Sequence, residues 1–544
     1  MPNALFKVPL PANEPIKSYA PETPEREELK AKLSELKGQQ IEIPLIIGGK
    51  EVKTGKLGQC VLPHDHQTVI GTYHQAGEKE VQMAIEAALE ARKGWATMDW
   101  QDRVAIFLRA ADLLAGPWRS LLNAATMLCQ SKNVFQAEID AACELVDLLR
   151  LNCYYVTQII DYQPPYSSSG TWNRMEYRPL EGFVFAVTPF NFTAIGGNLS
   201  SSPAMVGNVS VWKPASSAVY SAYYVMKLFQ EAGLPDGVIN FIPGPGSGVG
   251  PLVLNSRFLA GIHFTGSTDT FQTMWKTVGQ NIKNYKCYPR IVGETGGKDF
   301  VVAHASADVK ALGVALIRGA FEYQGQKCSA ASRAYIPKGL WGDLKDYMIS
   351  ELKAVKMGGV EDFTNLINAV IDEPAFSKIS GYLEYVKKSK DAEILLGGKY
   401  DDTKGFFIEP TVVLTTNPHF RTMEEEIFGP VLTVYVYDDD KYEETLHLCD
   451  ETSPYGLTGA IFAQDQQAVV MAERVLVNAA GNFYVNDKPT GAVAGQQPFG
   501  GSRASGTNDK AGSLWNMIRW VSPRAIKDNF VPAMDWRYPF MAEK

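Results

Sequence analysis

FVFAVTPF (residues 183–190), NVSVWKP (208–214), VINFIPG (238–244) and AGIHFTGS (260–267) are four short apolar runs, and what separates them decides the fold. AVYSAYYVMKLFQEAG (218–233) lies between the second and third, with apolar residues at helical spacing. The fourth run opens directly into TDTFQTMWKTVGQNI (268–282), which is helical again. Strands buried on both faces read as continuous apolar runs, and strands joined through helices run parallel. The block therefore predicts a doubly wound parallel sheet of the α/β class. A second alternating block runs from DFVVAHASADV (299–309) to VLTVYVYDDD (431–440).

Upstream, IEIPLIIGGKEV (41–52) reads as a strand, a Gly-Gly turn and a second strand. EKEVQMAIEAALEARKGW (78–95), DRVAIFLRAADLLA (102–115) and QAEIDAACELVDLLRLNCYYV (136–156) carry 3.6-residue apolar spacing and predict helices. The first 40 or so residues begin Pro-rich and turn helical in PEREELKAKLSELKGQ (24–39). A polar, Pro- and Ser-rich interruption, QPPYSSSGTWNRMEYRPLEG (163–182), separates the helical region from the first block. The last stretch, RWVSPRAIKDNFVPAMDWRYPFMAEK (519–544), mixes strand-like and aromatic residues, as tails that pack on another subunit often do. No repeat of fixed period is present.

A chain of 544 residues exceeds what one core supports, so two large domains are expected. A formal charge of −8 is mild for this length and argues against nucleic acid or an anionic membrane as partner. No apolar run approaches the roughly 20 residues that span a bilayer. The opening MPNALFKVPLPANEPIKSYAPE has neither the layout of a secretory signal nor the Arg-rich character of a transit peptide. The seven cysteines are odd in number, scattered and free of CxxC pairs, which points to a reducing compartment and away from disulfides or zinc. His64 and His66 lack a third ligand nearby, and no metal site is expected.

One cysteine differs from the rest by its surroundings. FEYQGQKCSA (321–330) sets Cys328 in a Gly-containing loop after a helical stretch, where a thiolate would attack a carbonyl. PFNFTA (189–194) and GETGGKDF (293–300) stand upstream. Alone, each motif is weak and Cys328 reads as an ordinary buried thiol. Together they resemble the aldehyde dehydrogenase superfamily, from about residue 40 to the C-terminus. The resemblance implies a Rossmann-like cofactor domain at 20–162 and 182–295, a catalytic α/β domain at 296–515, and oligomerisation segments at 163–181 and 516–544 that meet in a small β extension bridging two subunits.

It also implies roles. Cys328 attacks the aldehyde, Asn191 and the Cys328 N–H hold the oxyanion, and Glu294 activates the water that hydrolyses the thioester. NAD is the implied cofactor. The glycine cluster GPGSGVG (244–250) lacks the G-x-G-x-x-G spacing; a plain turn and a phosphate neighbour compete for it, and the turn is the favoured reading. Gly266 and Ser267, at a strand-to-helix junction, are better placed to face a pyrophosphate. By resemblance Lys213 and Glu426 bind ribose hydroxyls and Thr188 supplies a strand-end contact; these residues do not choose between NAD and NADP.

LEGFVFAVTPFNFTAIGGNL (180–199), NDKPTGAVAGQQPFGG (486–501) and ASGTNDK (504–510) resemble, within the superfamily, the branch that oxidises glutamate semialdehyde, the open form of pyrroline-5-carboxylate, in proline catabolism. Such a substrate carries a carboxylate and an ammonium. Ser329 and the amides of Gly491 and Ala492 are expected to bind the carboxylate. Glu138 is expected to take the ammonium, with Phe192 and Phe499 flanking the carbon chain. Eukaryotic members often carry Ser at the Ala492 position, so one hydroxyl contact is missing here. The branch implies a homodimer or higher homo-oligomer, in the mitochondrial matrix of a eukaryote (the transit peptide being absent from this chain) or otherwise in the cytoplasm. Succinate semialdehyde or a simple aliphatic aldehyde would use the same mechanism without Glu138. A silent scaffold would have lost Cys328, Asn191 or Glu294, and no G-x-S-x-G elbow supports a serine hydrolase.

Overall fold

The computed structural model describes residues 6–543; the first five residues of the Pro-rich opening and Lys544 of the tail lie outside the described residues. Two seven-stranded sheets carry the chain. The first runs, edge to edge, Arg290–Glu294, Leu259–Thr265, Phe183–Val187, Ser210–Lys213, Ile239–Phe241, Leu45–Ile47, Lys50–Val52. Its first five strands are parallel; Leu45–Ile47 pairs antiparallel with Ile239–Phe241, and Lys50–Val52 antiparallel with Leu45–Ile47. Gly48 and Gly49, at φ +56° and +75°, make the hairpin turn between the last two, a conformation that costs residues with a Cβ. The second sheet is ordered Ala392–Leu396, Thr411–Thr415, Val431–Tyr437, Ala331–Pro337, Asp299–Ala303, Thr458–Phe462, Asn482–Val485, with only the Ala392–Leu396 edge antiparallel. The aldehyde dehydrogenase-like α/β architecture expected from the sequence is the one observed.

Strand order in the first sheet reverses at Phe183–Val187: the next two strands lie on one side of it, and Leu259–Thr265 on the other. Open α/β sheets bind ligands at the carboxyl ends of strands beside such a reversal. Those ends carry Thr188, Lys213, Gly266 and Glu294. The second sheet presents its amino ends to the same seam, because Cys328 lies just before Ala331–Pro337 and GETGGK just before Asp299–Ala303.

The interruption and the tail meet. Thr171–Pro179 pairs antiparallel with Val521–Asn529 over nine residues, forming a separate two-stranded ribbon. Two local expectations fail. GPGSGVG is not a plain turn: Gly246–Leu254 is a helix, held by buried Val249, Val253 and Leu254 although glycine disfavours helix intrinsically. The helix expected through QAEIDAACEL is interrupted by a π-turn at Glu138–Glu144, between Val134–Ala137 and Leu145–Asp161. A π-turn inserts a residue and displaces the faces that a 3.6 period assigns.

Candidate active site

Cys328 follows a strained loop. Tyr323 (φ +52°), Gln324 (φ +54°) and Gly325 (φ +66°) are consecutive left-handed residues. That conformation costs roughly 1–2 kcal/mol for each residue with a Cβ and persists only where the surroundings over-determine it. Gln324 Nε2 donates to Ser131 O (3.0 Å) and Ala369 O (2.8 Å), and Gln326 Oε1 accepts Ile371 N–H (2.9 Å). A Cβ on Gly325 would stand 2.2 Å from Gly429 O, so only glycine fits. The loop delivers Cys328, 8% exposed, to the junction of two cavities of about 570 and 830 Å³, both of which it lines.

The larger cavity contains the strand-end residues. Thr188, Lys213, Gly266, Ser267 and Glu426 line it, as does Asn191. Ser267 caps the helix Thr268–Gln280, and Gly246 and Ser247 of the misread helix also line this cavity, so two helix N-termini open on it. Such termini favour phosphate. Among the described residues the buried Lys213 Nζ has only Pro214 O as partner (3.0 Å), and burial pulls its ammonium down to about 8. Glu426 Oε1 accepts Gly297 N–H at 2.9 Å, and a Cβ on Gly296 would come within 2.5 Å of Glu426 Oε2. The paired glycines of GETGGK thus make room for Glu426. An underused ammonium, a carboxylate and two helix N-termini fit a dinucleotide.

The smaller cavity holds Phe192, Glu294, Ser329, Gly491, Ala492 and Phe499 around Cys328. Ser329 Oγ is 2.8 Å from Thr490 Oγ1. Burial pushes the Glu294 carboxyl up to about 8, against an opposing pull from Lys510, and Glu294 Oε1 has no partner among the described residues. Burial, followed by the charges of Glu294, Asp299 and Glu426, holds the Cys328 thiol well above the ordinary cysteine range. The resting nucleophile is therefore the thiol, and attack requires a base.

Asn191 Nδ2 donates one N–H to Gln326 O (3.0 Å), leaving the second without a partner among the described residues. Its place is set by a buried ion pair absent from the sequence reading. Asp140 accepts Thr193 N–H (3.0 Å) and Ala194 N–H (2.8 Å) at the start of helix Thr193–Met205, and Lys132 Nζ binds Asp140 at 2.6 Å. Lys132 also sits over the rings of Phe192 (4.1 Å) and Tyr323 (4.6 Å), joining the Asn191 and Cys328 segments.

Glu138 does not reach the cavity, which corrects the sequence assignment. Its Oε1 accepts Lys17 N–H (2.8 Å), its Oε2 accepts Tyr19 O–H (2.8 Å) and Asn123 Nδ2 (2.7 Å), and Arg119 spans both oxygens. Burial works to raise this carboxyl, but Arg119 and these donors hold it below the usual range. Glu144, six residues on and across the π-turn, lines the cavity instead. Burial, then the nearby Asp140 charge, pushes its carboxyl up to about 8. A strap near the N-terminus adds to the wall: Asn13, Glu14, Pro15 and Ile16 line the cavity, with Glu14 paired to Arg119 and Arg150.

Residues 52–526 match the Aldehyde dehydrogenase family. The chain is 52% identical over 542 residues to the mitochondrial delta-1-pyrroline-5-carboxylate dehydrogenase of Dictyostelium discoideum, covering 99% of this chain and 97% of that protein. It is 48% identical to the human mitochondrial protein of the same name, covering 97% and 94%. The crystal structure of the delta-pyrroline-5-carboxylate dehydrogenase from Mycobacterium tuberculosis bound with NAD superposes with a TM-score of 0.96 at 51% identity, covering 99% of this chain and 100% of that one. The chain belongs to the aldehyde dehydrogenase family.

Proposed function

We propose that this protein is an NAD-dependent dehydrogenase that oxidises glutamate semialdehyde, from pyrroline-5-carboxylate, to glutamate in proline catabolism. The observation that carries the reading is Cys328 at the junction of a dinucleotide-sized cavity and a second cavity lined by Glu294, an amide-bearing loop and Glu144. Full-length similarity to relatives named for that substrate supports it.

Glu294, ionised, takes the Cys328 proton, and sulfur attacks the aldehyde carbon to give a thiohemiacetal oxyanion. The free N–H of Asn191 and the Cys328 backbone N–H meet that oxygen, each donor lowering the barrier by about 3–4 kcal/mol. NAD, bound in the larger cavity, supplies the hydride acceptor. A thioester on Cys328 results; Glu294, once it has passed the cysteine proton to solvent, takes a proton from the water that cleaves the thioester and frees Cys328, an effect of about 10²–10⁴ in rate. Lys213 and Glu426 would hold the ribose hydroxyls of NAD, with Thr188, Gly266 and Ser267 along the strand ends. Ser329 and the amides of Gly491 and Ala492 hold the substrate carboxylate, Phe192 and Phe499 flank its chain, and Glu144 takes the ammonium, whose approach favours the ionised carboxylate. The division we propose is a cofactor domain at 20–162 and 182–295, a catalytic domain at 296–515, and ribbon segments at 163–181 and 516–544.

NADH formation from pyrroline-5-carboxylate, succinate semialdehyde and acetaldehyde tests the substrate. Higher kcat/KM for either of the latter two overturns it.

The ribbon and tail support a homodimer or higher homo-oligomer. Two strands alone are marginal in water, and Trp172 (53%), Phe530 (63%), Trp536 (78%) and Phe540 (83%) leave large apolar surface exposed. Light scattering of the intact chain at a monomer mass would overturn this. Both relatives above are named as mitochondrial; we place the protein in the matrix if its source is a eukaryote and in the cytoplasm otherwise.

A further inference from the structure

The loop expected to hold the carboxylate has a cation built into it. Lys488 lines the smaller cavity together with Ser329, Gly491 and Ala492. Its Nζ donates to Thr490 O at 3.0 Å, and a Cβ on Gly491 would stand 2.8 Å from that Nζ. Gly491 has φ +93°, so the loop turns sharply beside the ammonium. Ser329 Oγ is tied to Thr490 Oγ1 at 2.8 Å, which brings hydroxyl, amides and ammonium to one end of the cavity.

Two further observations separate Lys488 from an ordinary surface lysine. Its stem is fixed from behind, because a Cβ on Gly319 of helix Val309–Phe321 would lie 3.4 Å from Lys488 Cβ. Its charge is also uncancelled. Of the other two lysines lining this cavity, Lys327 is paired with Glu322 at 3.2 Å and Lys510 Nζ donates to Gly481 O (2.7 Å) and Gly500 O (2.9 Å). Among the described residues Lys488 has no carboxylate partner, and the adjacent Asp487 Oδ1 is occupied by the Lys488 backbone N–H at 2.7 Å. An ammonium offers three donors, and only one is used here.

We propose that Lys488 is the charge selector of the aldehyde cavity: beside the Gly491 and Ala492 amides, its ammonium binds the substrate carboxylate and favours carboxylate-bearing aldehydes over neutral ones. Amides and a hydroxyl alone discriminate weakly by charge, whereas a fixed ammonium attracts a carboxylate and repels a cation. This rests on the reading that the cavity takes glutamate semialdehyde.

The test measures kcat/KM of the full chain for pyrroline-5-carboxylate and for propanal, at low and high salt, in wild type, K488M and K488R. In K488M the pyrroline-5-carboxylate-to-propanal ratio should fall about 10- to 100-fold, carried mainly by KM, as the loss of one charge-assisted contact implies. K488R should restore most of the ratio. Salt should depress wild-type kcat/KM for pyrroline-5-carboxylate, and K488M should lose that sensitivity. Equal losses on both aldehydes would make Lys488 a brace for Thr490 O and overturn the proposal. So would an unchanged ratio. A wild type that prefers propanal overturns the substrate reading as well; a wild type that prefers pyrroline-5-carboxylate, with K488M keeping that preference, overturns Lys488 alone.

Discussion

The two cavities that meet at Cys328 are assembled in opposite ways. The larger is built around strand ends of one sheet, with Thr188, Lys213, Gly266 and Thr295 each within a few residues of a strand, and on the helices Gly246–Leu254 and Thr268–Gln280 that follow those strands. The smaller is gathered from distant pieces: the strap at 13–16, the helical region at 139–148, the Cys328 loop and the loop at 488–499. A wall supplied by one sheet inherits that sheet's rigidity. A wall of separate segments needs side-chain bonds to hold it, and here these are the Glu138–Arg119–Glu14 cluster and the Lys132–Asp140 pair. The shared element should therefore be indispensable to both, and the assembled cavity should separate specificity from chemistry.

The largest effect tests the junction. Cys328→Ala should remove NADH formation from every aldehyde, to below about a thousandth of wild type, while NAD titration by protein fluorescence keeps its dissociation constant. Residual turnover of a few per cent would mean that another group attacks.

Glu294→Gln comes next. Steady-state turnover should fall about 10²–10⁴-fold, with a burst of NADH and an acyl adduct on Cys328 visible by intact mass. A uniform slowing with no adduct would remove Glu294 from deacylation.

Glu144 and Glu138 then divide specificity from stability within one segment. Glu144→Gln should lower the pyrroline-5-carboxylate-to-propanal ratio of kcat/KM by about 10- to 150-fold, the worth of one charge-assisted hydrogen bond. Glu138→Gln should leave that ratio near wild type and instead cost about 3–5 kcal/mol of stability in urea unfolding, because Arg119 would stay buried without its partner. Exchanged outcomes would return the ammonium site to Glu138.

The smallest effect is a shift along the pH axis. Glu294 serves as base only when ionised, and its carboxyl is pushed up to about 8, so kcat should rise with pH through that value. The positive charge of Lys510 pulls it down, so Lys510→Met should move the inflection to higher pH and Lys510→Arg should return it. An unmoved profile would uncouple the two groups.

The same contrast explains what could be read from the sequence. Cys328, Asn191 and Glu294 sit in motifs beside strands that announce themselves as apolar runs, so both the sheets and these candidate residues were legible. The ribbon was legible because its two segments broke the alternation on either side. Glu138 departs from the face that a 3.6 period assigns it because the segment contains a π-turn whose extra residue has no signature in composition. The helix at Gly246 was hidden because its glycines favour a turn and only tertiary packing reverses that preference. Lys132, Asp140 and Lys488 carry no motif at all. Their parts depend on residues brought together from far along the chain, and spacing does not encode such meetings.

The strap has a consequence for how the protein comes into being. Asn13 Nδ2 donates to Ala494 O, and Gln496 Nε2 donates back to Asn13 Oδ1, contacts that span 481 and 483 positions. Loop closure over such separations is slow and comes after local structure has formed. During synthesis the strap emerges first and waits for almost the whole chain before its partner exists. The first sheet, whose last strand ends at Glu294, is complete well before that. A nascent chain therefore possesses most of its nucleotide-facing wall before it can enclose an aldehyde. Any product ending short of residue 494 would lack the means to choose a substrate.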